Sequence, residues 1–140
     1  MTRTNISTGG ALEEKYSYSR AVRIGNVVKV SGTCAVDPEG NTVGVGDVAA
    51  QVARCFEIIS SALEGAGSGL GDIVINRVYL TDIDDAPAAG EVHGAIFGEV
   101  RPACTMMAVA ALVNPEFLVE IECEAVIPDG AQADAGATAH

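Results

Sequence analysis

Hydrophobic positions along the chain switch between two periods, and the switches mark its elements. Residues 18–24 alternate as a strand does, with Tyr18, Arg20, Val22 and Ile24 on one face. Gly25-Asn26 is a hairpin dipeptide, because both residues tolerate the positive φ of a primed turn, and residues 27–33 return as a second strand. Turn chemistry follows in Asp37-Pro38-Glu39-Gly40-Asn41, extended by Gly44 and Gly46. Asp47 then offers an N-cap carboxylate to free amides. Val48, Val52, Cys55/Phe56, Ile59 and Ala62/Leu63 recur at three- and four-residue spacing, one apolar face of a long helix that Gly65 and Gly67 stop. Residues 73–81 are β-branched and apolar, a third strand. Asp84, Asp85 and Pro87 open a second helix with Ala89, Val92 and Ile96 facing inward, and Pro102 closes it. Residues 103–112 and 117–127 give two further strands joined at Asn114-Pro115. The order β-β-α-β-α-β-β predicts an α+β fold, an antiparallel-rich sheet with both helices on one face. Residues 1–15 and 129–140 are polar or small and predict loose ends, leaving a single domain over 16–128.

Composition narrows the function. A 49% hydrophobic fraction in 140 residues is enough for one well-filled core. Nineteen acidic against eight basic residues give a net charge of −11, and no two of the lysines and arginines are adjacent. A field of that sign repels polyanions, so neither nucleic acid nor an anionic membrane surface is expected as a partner. No apolar run approaches the roughly 18–20 residues of a membrane span, and the first residues lack a secretory pattern, so a cytoplasmic location is expected. Cys34, Cys55, Cys104 and Cys123 lie 21, 49 and 19 residues apart without a C-x-x-C pair. That spacing predicts reduced thiols, and zinc would need closer ligands and more histidines than His93 and His140. No metal or cofactor is expected.

Five segments carry a likeness: YSRAV (18–22), GNVVKVSGT (25–33), VYLTDID (78–84), RPACTMMAVAAL (101–112) and LVEIECEAV (118–126). In this order and at these separations the chain resembles the RidA/YjgF family of reactive enamine/imine deaminases, formerly described as endoribonuclease L-PSP. The resemblance implies a chorismate-mutase-like protomer and a homotrimer with a central barrel. It also implies clefts between subunits where small imines or enamines are hydrolysed to carbonyl compounds and ammonia without metal or organic cofactor. It further implies that Glu120 orients or activates water, and that Tyr18 and Ser31 border the pocket. The family's carboxylate-clamping arginine, in a P-A-R-S/T segment, is replaced here by Cys104, followed by Thr105 at the S/T position. Gly90 stands at an asparagine position of some members, and Met106 at a cysteine position. A thiol cannot supply the bidentate fork of a guanidinium, so ordinary imino-acid deamination is expected to be weak or absent. Arg20, two residues beyond Tyr18 on the same face, is the alternative anion partner.

Each candidate also has a plain structural reading. In the last strand Leu118, Glu120, Glu122, Glu124 and Val126 share one side, and three carboxylates at period two describe a solvated sheet face. Glu120 is assigned to the site on the resemblance, Glu122 and Glu124 to that face. Cys104 is either a small packed hydrophobe or a nucleophile or proton donor facing the cleft, with His93 or Glu120 as base. His93 either borders the cleft or is a packing histidine. A hairpin at Asn114-Pro115 places Cys104 about five residues from the level of Glu120, roughly 16 Å at strand rise, so only a neighbouring subunit brings them together. The leading expectation is a homotrimeric hydrolase or deaminase of a small C–N compound lacking an α-carboxylate. A non-catalytic trimer binding a metabolite or partner protein is the alternative, and the charge argues against ribonuclease activity.

Overall fold

The computed structural model describes residues 1–129; of the tail predicted over 129–140, residues 130–140 lie outside them. Helix α2 (Val48–Gly65) starts where Asp47 accepts a hydrogen bond from the Ala50 amide at 3.0 Å. Its residues Val52, Cys55, Phe56, Ile59, Ala62 and Leu63 are all buried, as the three-four spacing requires. Strands β2 (Ala21–Ile24) and β3 (Val27–Thr33) form the hairpin, with Gly25 at φ 60° and Asn26 at ordinary φ. Strand β4 (Ile73–Leu80), helix α3 (Ala86–Phe97) and strand β5 (Ala103–Ala108) follow, and β6 (Val119–Val126) ends the described fold.

Two elements lie where the sequence predicts looseness. Strand β1 (Arg3–Ile6) pairs antiparallel with β2, and α1 (Ala11–Tyr16) follows it. Neither has an amphipathic pattern to announce it: β1 gains order by extending a sheet edge, and α1 is tied by polar contacts. The buried Glu13 carboxylate accepts from the Ser7 hydroxyl at 2.9 Å, from the Thr8 amide at 3.2 Å and from the Thr8 hydroxyl. The prediction of loose residues 1–15 is therefore corrected.

The six strands lie in the order β1-β2-β3-β6-β4-β5, antiparallel throughout except for the parallel pair β4–β5. The hairpin expected between the last two strands does not form. Strand β5 follows β4 through the α3 crossover, which delivers it parallel to β4 at the sheet edge. The chain then passes round β4 and inserts β6 between β4 and β3. Gln51 holds that passage in place. Its side-chain amide donates to the carbonyls of Gly44 (3.1 Å) and Glu116 (3.0 Å) and accepts from the Leu118 amide (2.9 Å), fully buried. Strand β5 consequently stops at Ala108 rather than at 112.

Helices α2 and α3 cover one face. Val28, Val30, Val78, Leu80, Val119, Ile121, Cys123 and Ala125 point into them and form one core with Val52, Phe56, Ile59 and Leu63. The alternate residues of the central strands, Lys29, Arg77, Tyr79, Glu120, Glu122 and Glu124, belong to the other face. There Glu124 pairs with Arg77 (2.9 Å) and Lys29 (3.2 Å), and the Tyr79 hydroxyl donates to Glu122. Glu122 and Glu124 are thus half-buried and paired on that face, where the plain reading of the strand had them solvated. Among the described residues, no helix is long and apolar enough to cross a membrane.

Candidate functional site

The geometry around Glu120 begins with an irregularity in β3. Val30 is opposite Cys123, yet Thr33 is opposite Ile121, so three residue steps on β3 match two on β6. A bulge of this kind bends the strand and re-aims side chains. Here it brings Gly32 and Cys34 against the Glu120 carboxylate. The Cys34 thiol lies 3.5 Å from Glu120 Oε1, and a Cβ on Gly32 would fall 2.0 Å from Oε2. The carboxylate therefore occupies the space that glycine leaves empty.

Arg20 fixes the same bulge from β2's side. Its guanidinium Nη2 donates to the Gly32 carbonyl, and its Nε is buried without a partner among the described residues. Ser31 N donates to the Arg20 carbonyl (3.0 Å), and the Ser31 hydroxyl to the Ser19 carbonyl (2.7 Å). Tyr18, two residues before Arg20, is 41% exposed. Among the described residues Arg20 makes no ion pair within 4.0 Å. Burial raises the Cys34 thiol pKa, and the Glu120 charge raises it further against the pull of Arg20. Three of the residues singled out in the sequence, Arg20, Ser31 and Glu120, therefore meet around Gly32. Cys34, which completes the group, carries no sequence signal, because its approach to Glu120 depends on the bulge.

Cys104, Thr105 and His93 lie elsewhere. Cys104 is exposed on the β5 edge, level with Asn76, whereas Glu120 is level with Tyr79, three residues further along β4. Asn76 faces the helices and Glu120 faces away, so Cys104 and Glu120 occupy opposite faces of one sheet. The offset along the strand is about 10 Å rather than 16 Å, and the intervening β4 keeps them apart. Thr105, level with Arg77 and Glu122, shares the face of Glu120 but lies two strands away, exposed.

Beside Cys104 is a second polar group, made of the sequence candidate His93 and of Asn76, which the sequence did not indicate. The Asn76 amide, fully buried, donates from Nδ2 to His93 Nε2 at 3.0 Å, while its Oδ1 has no partner among the described residues. The His93 ring packs at 4.8 Å from Phe97 and 6.1 Å from Phe56. Burial lowers its pKa, so the imidazole is neutral near pH 7. Burial likewise raises the Cys104 thiol. The two groups differ in character: a carboxylate with a guanidinium nearby on one face, an uncharged thiol, amide and imidazole on the other. Among the described residues, no group of three or more His, Cys, Asp or Glu side chains is placed to hold a metal ion.

A family model described as endoribonuclease L-PSP matches residues 8–127. The 3-aminoacrylate deaminase RutC of Acinetobacter baylyi is 39% identical over 104 residues, covering 74% of this chain and 82% of that protein. A RutC family protein of Pyrococcus abyssi is 38% identical over 122 residues, 87% of this chain and 95% of that one. Among solved structures, a member of the YjgF/YER057c/UK114 family from Mycobacterium tuberculosis superposes with a TM-score of 0.82 at 42% identity, covering 90% of this chain and all of that one. The YjgF gene product of E. coli does so with a TM-score of 0.72 at 30% identity, covering 88% and 92%.

Proposed function

Because the chain belongs to the endoribonuclease L-PSP family, with its RutC and RidA/YjgF members, we propose that it hydrolyses a small enamine, imine or related C–N compound in clefts between the subunits of a homotrimer. The observation that carries this reading is the Glu120 carboxylate, set on the sheet face opposite the core and seated over Gly32. A carboxylate so placed takes a proton from water as the oxygen bonds to the C=N carbon and passes it to the nitrogen, giving a carbinolamine. It then takes the hydroxyl proton and passes it to the amine as the C–N bond breaks, releasing ammonia and the carbonyl compound. Tyr18, Ser31 and Arg20 border that half of the cleft.

The other half comes from a second copy. Cys104, Thr105 and His93 lie at or near an edge strand whose outer backbone is unpaired among the described residues, with exposed Val100, Met107 and Val113 close by in sequence. Apolar side chains beside an open edge are what a subunit contact covers. Docking that edge against the Glu120 face of a neighbour joins two half-sites that one chain holds apart.

The substrate class follows from charge. With Cys104 in place of the clamping arginine, a carboxylate loses an ionic hydrogen bond of about 1.5–3 kcal/mol, roughly 10- to 150-fold in affinity. Its neighbours Asn76 and His93 are uncharged, so neutral imines or enamines are preferred over imino acids. Ammonia or carbonyl release from a panel of carboxylated and uncharged imines tests this. Faster turnover of the uncharged members, lost in Glu120→Gln, supports it; no acceleration of any member, or full activity in Glu120→Gln, refutes it. The missing arginine also favours a second reading, a trimer that binds a metabolite without converting it, which equilibrium binding without turnover would establish.

A further inference from the structure

The Glu120 carboxylate has one hydrogen-bond partner among the described residues, the Cys34 thiol. Cys34 follows Thr33, the last residue of β3, whose partner on β6 is Ile121, the neighbour of Glu120; it is half-buried. The titratable groups around it are Glu120, Arg20 and Cys55, and Cys55 is itself occupied in donating to the Thr33 carbonyl at 3.3 Å. Burial and the adjacent carboxylate both oppose ionisation of Cys34, so it stays a neutral S–H wherever Glu120 is charged. A neutral thiol beside a carboxylate has one role open to it: it donates. Thiols are weak donors, and a weak donor orients a base without much reducing its basicity.

We propose that Cys34 is a positioning residue for Glu120, its S–H donating to Oε1 so that the carboxylate stays seated over Gly32 and Oε2 is left to exchange the proton of the attacking water. The catalytic part of this inference rests on the reading above that Glu120 handles water; the pairing of thiol and carboxylate does not. Cys34 itself forms no bond to substrate and gives up no proton in the cycle. The proposal also accounts for the chemistry of this position. An aliphatic side chain of the same volume fills the same space but leaves Oε1 without a donor, and a hydroxyl donates more strongly from a shorter reach.

Two measurements test it. The first needs no substrate: iodoacetamide alkylation of Cys34, followed by peptide mass mapping in a Cys104→Ser background that removes the exposed thiol, is compared with and without Glu120→Gln. Loss of the carboxylate charge lowers the thiol pKa, and alkylation in Glu120→Gln is several-fold faster than in the protein that keeps the carboxylate. The pH is raised until Cys34 is modified in Glu120→Gln, and equal rates in the two proteins overturn the pairing. The second compares Cys34→Val with Cys34→Ser on the best substrate of the imine panel. Valine lowers kcat about tenfold with KM little changed, while serine, which restores a donor, stays within about threefold of wild type. Full kcat in Cys34→Val overturns the positioning role. If wild type turns over nothing in the panel, the hydrolase reading fails, and the alkylation result still decides whether Cys34 and Glu120 are paired.

Discussion

Gly32→Ala perturbs the proposed site by one methyl group. The new Cβ falls 2.0 Å from Glu120 Oε2, 3.0 Å from its Cδ and 3.3 Å from its Cγ. To reach the 3.4 Å of ordinary contact, the oxygen must retreat by about 1.4 Å. The obstructed atoms belong to the far end of a flexible side chain, and Gly32 is not in the left-handed region, so the backbone tolerates alanine. The stability cost therefore belongs at the low end of the roughly 1–3 kcal/mol of an overpacking change. Catalysis is less forgiving, because a displacement near 1 Å of a reacting group costs on the order of 10²-fold. Gly32→Ala should melt within a few degrees of wild type yet lose about two orders of magnitude in kcat for imine hydrolysis. Steady-state kinetics and a thermal melt on the same preparation check both halves. A variant that keeps kcat within threefold would refute the placement of Glu120 as the group that handles water.

Other expectations follow from the same contacts. Gln51→Leu leaves the part-buried Glu116 carbonyl and Leu118 amide without their Gln51 partner, while the Gly44 carbonyl keeps the Asp47 amide at 2.9 Å, and should cost about 2 kcal/mol or more by urea unfolding. Glu13→Ala removes the acceptor that ties Ser7 and Thr8 to α1; a loss of about 1.5–3 kcal/mol in local stability should appear as faster proteolysis within residues 1–16 at unchanged core hydrogen exchange. His93 has a folded pKa lowered by burial, so the unfolded state binds its proton first: its contribution is complete above about pH 6.5 and falls away as pH drops below that. Plotting melting temperature from pH 7 to pH 5 should give a slope that His93→Gln flattens.

Much of the fold was legible because burial leaves a periodic trace. Asp47 and the apolar positions from Val48 to Leu63 predicted α2 to within two residues, and the alternation of Val119, Ile121, Cys123 and Ala125 predicted the central strand and its polar face. Strand β1 was not legible, since Arg3–Ile6 is mostly exposed and held by backbone pairing. Strand order was not legible either: periodicity says which face a strand buries, not which strand lies beside it, and the α3 crossover decided where β5 and β6 went. The same limit applied to the site. Ser31 and Glu120 were singled out through motif resemblance, and Arg20 through its place two residues beyond Tyr18 on one strand face. Cys34 needs the bulge, and the Asn76–His93 pair joins residues on different elements seventeen positions apart.

Mixed oligomers would test the joining of two half-sites most directly. Glu120→Gln removes the proposed base from one half, and Cys104→Trp fills the other with a bulky ring, so each variant alone should be inactive. Unfolded together at equal amounts and refolded, they place an intact Glu120 face against an intact Cys104 edge in about one quarter of the contacts of a randomly assembled ring. Recovery of about a quarter of wild-type turnover is the predicted result. Activity that stays at the level of the separate variants, in oligomers shown to have mixed, would contradict a cleft shared between subunits.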